Sequence, residues 1–338
     1  MTGTVNNFVV YDAEFQSGLQ ETLEQRNLEL NAAISNTIRL VTADMIGEFN
    51  KEAFFKANES LIQRRDPSST ADAAPDRLEQ AEVAGVKVNS MFLLENTLDS
   101  FKKIGMSPEA MSFYVGGAVA QNMSKDHLNT ALLVLDTTAK ALGEPSATPT
   151  DGVTYDLTKD SGATVKTANA IALNKMRVPL GDKGLGAIKA LVMPSKPYFD
   201  LVGNQLADKL TGLSDVVVYG GTPASLGLPV YVVDSPVLID LDPAGDGTVP
   251  AQYTILGLTE DAASVVQSES PSYVAQTVTG KQNLISRIHG EFSYNLNVRG
   301  FAYTGVASPS DAVLGNKANW EYRMSSVKHA PAVKLITN

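Results

Sequence analysis

The sequence predicts an α+β protein, in which a few helices pack beside sheets made of strands that are distant in the chain. Three observations support this class. One long helical segment covers 105–143, strand-like runs separated by turn signals fill the second half, and strands and helices do not alternate regularly. A chain of 338 residues is long enough for two or three compact units.

The composition excludes several classes of function. The chain has 43% hydrophobic residues and no cysteine, which excludes a disulfide framework, a thiolate metal site and a cysteine nucleophile. Its net charge of −10 argues against non-specific nucleic-acid binding. Residues 1–8 show no export signal, and no run approaches the roughly 18 apolar residues of a membrane span. We therefore expect a soluble cytoplasmic protein without membrane contact.

The charge is unevenly distributed along the chain. Residues 211–280 contain no Lys or Arg against 8 acidic residues, whereas 281–338 carry 7 basic and 3 acidic ones. A composition shift of this size predicts a separate lobe, and a solvated acidic face arising by chance is the alternative.

The first hundred residues predict a helix, a strand and a ribbon. Apolar residues recur at helical spacing over 12–36, and Thr37–Thr42 reads as a short strand. The run 62–90 has two prolines, many small polar residues and a strand-like second half. Because it cannot bury a core of its own, it predicts a projecting two-stranded ribbon joined near residues 68–75.

The segment 105–143 predicts a very long helix. Ser107 is a candidate N-cap, Pro108 suits the first helical position, and Gly143 suits the C-terminus. The helix would be about 50 Å long if unbroken. Gly116-Gly117 and residues 124–126 are the places where it would bend.

The remainder predicts a linker, two helices and several strands. Residues 144–165 read as a linker, and helices follow near 166–176 and at 196–210, the latter with Ser195 as its N-cap. Predicted strands cover 188–193, 216–219, 229–233, 237–241, 253–258, 264–267, 284–300, 320–323 and 333–336.

No catalytic or cofactor-binding motif is assembled in this sequence. The glycine-rich run 181–186 lacks the lysine of a phosphate-binding loop and precedes a strand, so it reads as a turn. The acidic run 240–247 lacks the EF-hand glutamate; we expect a surface loop, and a weakly held cation remains the alternative. His127 and His289 read as packing or surface residues. We therefore predict no enzyme, no cofactor and no defined metal site.

One basic pair on the predicted ribbon admits two interpretations. Arg64-Arg65-Asp66 is either a solvated turn or an anchor for ion pairs with a neighbouring subunit, since arginine binds carboxylates with two parallel hydrogen bonds. Arg77 and Lys87 are the further candidates for inter-subunit contact on this ribbon.

The order of these elements resembles the major capsid proteins of tailed bacteriophages, which share the Hong Kong 97-like fold. Several strings of residues resemble that family too, namely 53–56 (AFFK), 61–66 (LIQRRD), 101–105 (FKKIG), 108–113 (PEAMSF), 192–201 (VMPSKPYFDL), 219–230 (YGGTPASLGLPV), 234–236 (DSP) and 279–292.

The resemblance implies a set of domains. They would be an N-terminal arm (1–50), an extended loop (51–95), a peripheral domain (96–200) containing a spine helix (106–142), an axial domain (201–280), and a return to the peripheral domain with a C-terminal strand (281–338). Lysine cross-linking between subunits, known in some relatives, is not inferred here.

It also implies a function and partners. Copies would assemble as hexamers and pentamers into an icosahedral head that encloses double-stranded DNA without reading its sequence. A scaffolding protein, a portal and a decoration protein would be partners, with assembly in the host cytoplasm. An encapsulin-like compartment of the same fold is the alternative.

Overall fold

The computed structural model describes residues 12–43, 47–56, 62, 64, 67–69, 72, 79–97, 108–145, 152–163, 165–211, 225–278, 282–283 and 285–338. The helices are α1 (Asp12–Ala33), α2 (Pro108–Leu142), α3 (Ala170–Lys175), α4 (Gly184–Ala187), α5 (Ser195–Thr211) and α6 (Asp311–Leu314). The strands are β1 (Ile38–Thr42), β2 (Phe49–Phe55), β3 (Gln80–Thr97), β4 (Thr154–Asp156), β5 (Ile188–Met193), β6 (Val230–Val232), β7 (Ile239–Asp240), β8 (Gln252–Thr259), β9 (Ala263–Val278), β10 (Ile285–Val298), β11 (Phe301–Tyr303), β12 (Trp320–Tyr322) and β13 (Ala332–Thr337).

Two main sheets organise the molecule. The five-stranded sheet has the order β1-β9-β10-β3-β2, and the six-stranded sheet has the order β4-β13-β8-β5-β6 with β7 paired to β8. A two-stranded sheet of β11 and β12 completes the strands described. Strands far apart in sequence are neighbours in both main sheets, so the predicted α+β class is confirmed.

The long helix α2 joins two hydrophobic cores. Its central side chains Leu132 and Leu135 are fully buried in the first core, which also contains α1 and the five-stranded sheet. Ala139, one turn further on, belongs to the second core between α2, α3, β5 and β13. The helix therefore contacts both sheets.

Helix α2 is unbroken, because residues 108–142 are continuously helical through both places where a bend is predicted. Gly116 instead lets α1 lie close: a Cβ on this residue would clash with the Phe15 carbonyl oxygen and would lie 3.1 Å from the Leu19 nitrogen. Gly18 has the same role on α1, where a Cβ would clash with the carbonyl oxygen of Phe113. The glycines are thus required by the close packing of two helices.

Several local predictions are corrected. The first ribbon strand is β2, which precedes the predicted run 62–90, and most residues between β2 and β3 lie outside the described part. The predicted linker 144–165 contains β4, which pairs with β13, and Val153 and Leu157 on either side of it are fully or almost fully buried. Helix α5 begins at Ser195 itself, whose N–H donates to Asp234 Oδ1 at 2.8 Å. The predicted strand 216–219 lies outside the described residues.

The described part of 211–280 does not form a separate lobe. Strand β8 lies inside the six-stranded sheet, and β9 lies inside the five-stranded sheet, between β1 and β10. The division into capsid domains stays a prediction.

Candidate assembly interface

The described strands form a ribbon that extends from the five-stranded sheet. Strand β2 pairs antiparallel with the first part of β3, from Phe49 opposite Val86 to Phe55 opposite Gln80. Lys56 Nζ lies 2.9 Å from Glu79 Oε2, and Lys51 Nζ lies 2.7 Å from Glu82 Oε1, so ion pairs join the two strands. Such exposed pairs contribute only about 0.2–1 kcal/mol each. These two ion pairs therefore add little to the backbone pairing of β2 with β3.

Strand β3 continues beyond the residues that pair with β2. Its second half pairs with β10, from Val86 opposite Leu296 to Thr97 opposite Ile285. On the β2 side, the Lys87 N–H donates to the Glu48 carbonyl oxygen at 2.9 Å and Asn89 Nδ2 donates to Ser308 Oγ at 2.6 Å. The segment 89–97 therefore extends past the start of β2 while it stays paired with β10.

The outer face of the segment 89–97, together with the neighbouring part of β9, carries exposed apolar side chains. Met91 is 71% exposed and Leu93 55%, and on β9 Val274 is 67% exposed. The strand register places His289 of β10 directly between Leu93 and Val274. Arg287 and Glu95 form an ion pair beside this patch, with Nη2 and Oε2 2.5 Å apart. We call Met91, Leu93 and Val274 the outer apolar patch.

The inner face of the same segment borders a groove against α2. The groove has a volume of about 420 Å³ and is lined by residues that include Phe92, Leu94, Val119 and Met123. Phe92 lies over Gly290 on the facing strand, where any Cβ would clash with the ring. The segment therefore has apolar side chains on both faces, as expected of a strand covered on both sides.

Of the sequence-predicted contact residues, the structure describes two. Arg64 is exposed, whereas Arg65, Asp66 and Arg77 lie outside the described residues. Lys87 is half-buried at the junction of β2 and β3, and its N–H donates to the Glu48 carbonyl oxygen at 2.9 Å. The inter-subunit roles of all five stay predictions. The sequence reading missed the outer apolar patch, although four consecutive apolar residues, 91–94, indicate a strand that is apolar on both faces.

The catalytic candidates have structural explanations. His127 is buried against the rings of Tyr294 and Phe292, at centroid distances of 4.5 and 5.9 Å. Burial lowers the pKa of His127 to about 4, so its imidazole is neutral near pH 7. A neutral histidine enclosed by aromatic rings is a packing residue, as predicted.

The acidic loop is an exposed turn closed by its own backbone. Asp242 Oδ1 accepts the Gly247 N–H at 3.0 Å, and Asp246 Oδ1 accepts the Thr248 N–H at 3.0 Å. Within the described ranges, no group of acidic and histidine side chains could hold a metal ion. The surface-loop interpretation is confirmed. The glycine-rich run 181–186 lies in a 3₁₀ turn followed by α4, with Gly181 at φ 55°.

A strand segment with apolar side chains on both faces, one of them exposed, is typical of a structural protein that binds other chains. The match to a family model identifies which: residues 7–334 match the Gp13-like family, described as major capsid protein 13-like. The chain therefore belongs to this family of tailed-bacteriophage major capsid proteins. Membership of a structural capsid family implies a non-enzymatic role.

Solved structures of two phage capsids are similar to this fold. The capsid of cyanophage Pam1 gives a TM-score of 0.52 at 11% identity, covering 90% of this chain and 92% of the other. The capsid of Ralstonia phage GP4 gives 0.51 at 11% identity, covering 90% and 87%. At this identity the similarity shows the fold alone. Comparison with curated proteins gives no match. Across the helices that the structure describes, none is long and apolar enough to cross a membrane.

Proposed function

We propose that this capsid protein assembles as hexamers and pentamers into an icosahedral head that encloses double-stranded DNA. The observation that carries the proposal is the outer apolar patch, whose three side chains are each more than half exposed. Met91 and Leu93 would be covered by a neighbouring copy, because large apolar patches exposed on a protein usually mark interaction sites. The family match supports a phage head, and no separate observation favours an encapsulin-like compartment.

The capsid domains follow as part of the proposal. The arm (1–50), the extended loop (51–95) and the spine helix (106–142) keep their predicted boundaries. The sheet topology supports moving two other boundaries, because β9 pairs within the five-stranded sheet and β13 within the six-stranded one. We assign the five-stranded sheet with α1 and α2 to the peripheral domain, and the six-stranded sheet to the axial domain.

The partners also belong to the proposal. A scaffolding protein, a portal and a decoration protein would act with the shell, and assembly would occur in the host cytoplasm. The net charge of −10 supports a shell that encloses DNA without binding it tightly, since like charges repel.

Expression followed by electron microscopy tests this function. The wild-type chain, alone or with a co-expressed scaffold, should form closed shells, and Met91→Ser/Leu93→Ser should yield folded subunits with few shells. Ile171→Ser is the matched control, because Ile171 is 72% exposed but lies on α3, away from the ribbon. Failure of the wild type to form shells under all conditions would refute the proposed function, and normal shells from the double variant would refute the role of segment 89–97.

A further inference from the structure

A buried ion pair joins α2 to the six-stranded sheet. Lys334 Nζ on β13 lies 2.5 Å from Asp136 Oδ1 on α2, and the two side chains are only 4% and 2% exposed. The two residues are 198 positions apart in the chain. The pair lies where the helix passes from the first core to the second, since Leu135 belongs to one and Ala139 to the other.

Further charges of alternating sign extend this pair in both directions. Asp136 Oδ2 also binds Lys140 Nζ at 2.6 Å, one helical turn further along α2. On the other side lies Asp156 of β4, whose attraction favours the charged form of Lys334. Asp156 binds Lys159 at 3.1 Å, and Lys159 binds Glu144 at 2.7 Å. The charges therefore connect α2, β4 and β13.

A buried ion pair contributes little net stability, but it can fix the relative positions of the elements that carry it. Removing two charges from water costs several kcal/mol per ion, and well-packed apolar residues often replace a buried pair without loss. Burial accordingly lowers the pKa of Lys334, against the opposing attraction of Asp136. A buried, hydrogen-bonded ion pair can nevertheless specify one arrangement of the elements that carry it, as buried polar groups do in some proteins.

Hydrogen bonds hold strand β4 to the end of α2, beside this pair. The Gly143 carbonyl oxygen accepts from the N–H groups of Val153 and Thr154 at 2.9 and 3.0 Å, and the Ala139 carbonyl oxygen accepts from Thr154 Oγ1 at 3.3 Å. The ion pair adds a contact between α2 and the next strand of the sheet, β13. Lys334 is itself fixed in its strand, because its N–H donates to the Val153 carbonyl oxygen at 2.9 Å and its strand lies between β4 and β8. A fixed cation on a central strand can thus hold the helix at one angle.

We propose that Asp136 and Lys334 are positioning residues for assembly, whose buried ion pair fixes the angle at which the six-stranded sheet meets α2 and thereby the curvature of the shell. This inference rests on the proposed function. An angle that varies between copies would change how neighbouring subunits meet, and a closed shell of one size needs one angle or a small set of them.

The test replaces both charges with apolar residues of similar size. Asp136→Leu/Lys334→Met should keep the unfolding equilibrium constant within about tenfold of wild type, whereas Asp136→Leu alone should raise it roughly a hundredfold or more by leaving the buried Lys334 ammonium without the carboxylate that it binds. Shells of the double variant should vary in diameter by electron microscopy. The control Arg26→Met/Glu29→Leu removes an exposed pair on α1 and should leave the diameter unchanged.

A measurement on the free subunit separates this inference from the proposed function. The chain has no cysteine, so spin labels can be attached at Gln121→Cys on α2 and Ile171→Cys on α3. They report the distance between the long helix and α3, which packs in the second core with the six-stranded sheet. The distance distribution should be narrow in wild type and broad in the double variant, whether or not shells form. Asp136→Glu, which keeps the charge on a longer side chain, should displace the distribution without broadening it, and it serves if the double variant does not fold. Unchanged distributions in both variants, or uniform shells from a folded double variant, would overturn the inference.

Discussion

The buried His127 makes the stability of the subunit depend on pH. Its imidazole lies against Tyr294 and Phe292, and its Nε2 has no hydrogen-bond partner among the described residues. Burial lowers its pKa from 6.5 to about 4. The unfolded chain therefore binds a proton between these values that the folded chain does not. The contribution of neutral His127 to the unfolding free energy is fully present above pH 6.5 and is lost as the pH falls toward 4.

The size of the effect follows from the shift. A difference of about 2.5 pKa units at 1.36 kcal/mol each gives roughly 3 kcal/mol of lost unfolding free energy near pH 4. Urea denaturation of the unassembled chain at pH 4.5–7.5, followed by fluorescence of the single buried Trp320, measures it. Carboxylates titrate in the same range, including Asp126, whose pKa is raised by burial. The quantity to compare is thus the difference between wild type and His127→Met.

This difference should change with pH in one direction only. His127→Met removes the titrating group. Its unfolding free energy should therefore rise relative to that of wild type as the pH falls. Met123→Leu, at an equally buried position on α2, should differ from wild type by a constant amount at every pH. If the difference in unfolding free energy between wild type and His127→Met stays constant between pH 7 and 4.5, the burial argument is refuted.

Three further changes test local packing by the same denaturation assay. Gly116→Ala should lose about 1–3 kcal/mol because α1 must move away, whereas Gly203→Ala on α5, with nothing within 4 Å of the added Cβ, should gain up to about 1 kcal/mol; equal effects would contradict the close helix approach. Gly290→Val should lose about 1–3 kcal/mol by displacing the Phe92 ring, and Phe92→Ala should relieve part of that loss; additive effects would show that the two residues are not coupled. Asp234→Ala should lose about 0.5–2 kcal/mol by removing the acceptor at the start of α5, whereas Asp234→Asn should lose less; equal losses would assign the effect to charge.

Local signals predicted the long helix and most strands. Pro108 and the last helical residue, Leu142 before Gly143, are the observed limits of α2, because capping preferences depend on neighbouring residues alone. The predicted strand 264–267 is shorter than the observed β9, which extends to Val278. The strand passes through Pro271, close to a shift in its register with β10. Pairing with β10 overrides the local preference there.

Features that depend on distant contacts could not be predicted. Gly116 reads as a helix bend until α1 is known to lie against it. The burial of Asp136 and Lys334 could not be predicted, because nothing nearby in the sequence shows that these two side chains meet. The outer apolar patch was detectable from residues 91–94 but was interpreted as part of a loop. Sequence resemblance supplied the class of protein where local reasoning could not.

The position of β13 has a consequence for synthesis of the chain. This strand lies between β4 and β8, so the six-stranded sheet contains a gap until residues 332–337 have left the ribosome. Pairing over such sequence separations is slow, and incomplete sheets expose edges that aggregate. A chain terminated before β13 would lack the strand that joins β4 to β8 and the lysine that pairs with Asp136 across the sheet. We therefore expect such chains to be excluded from a shell.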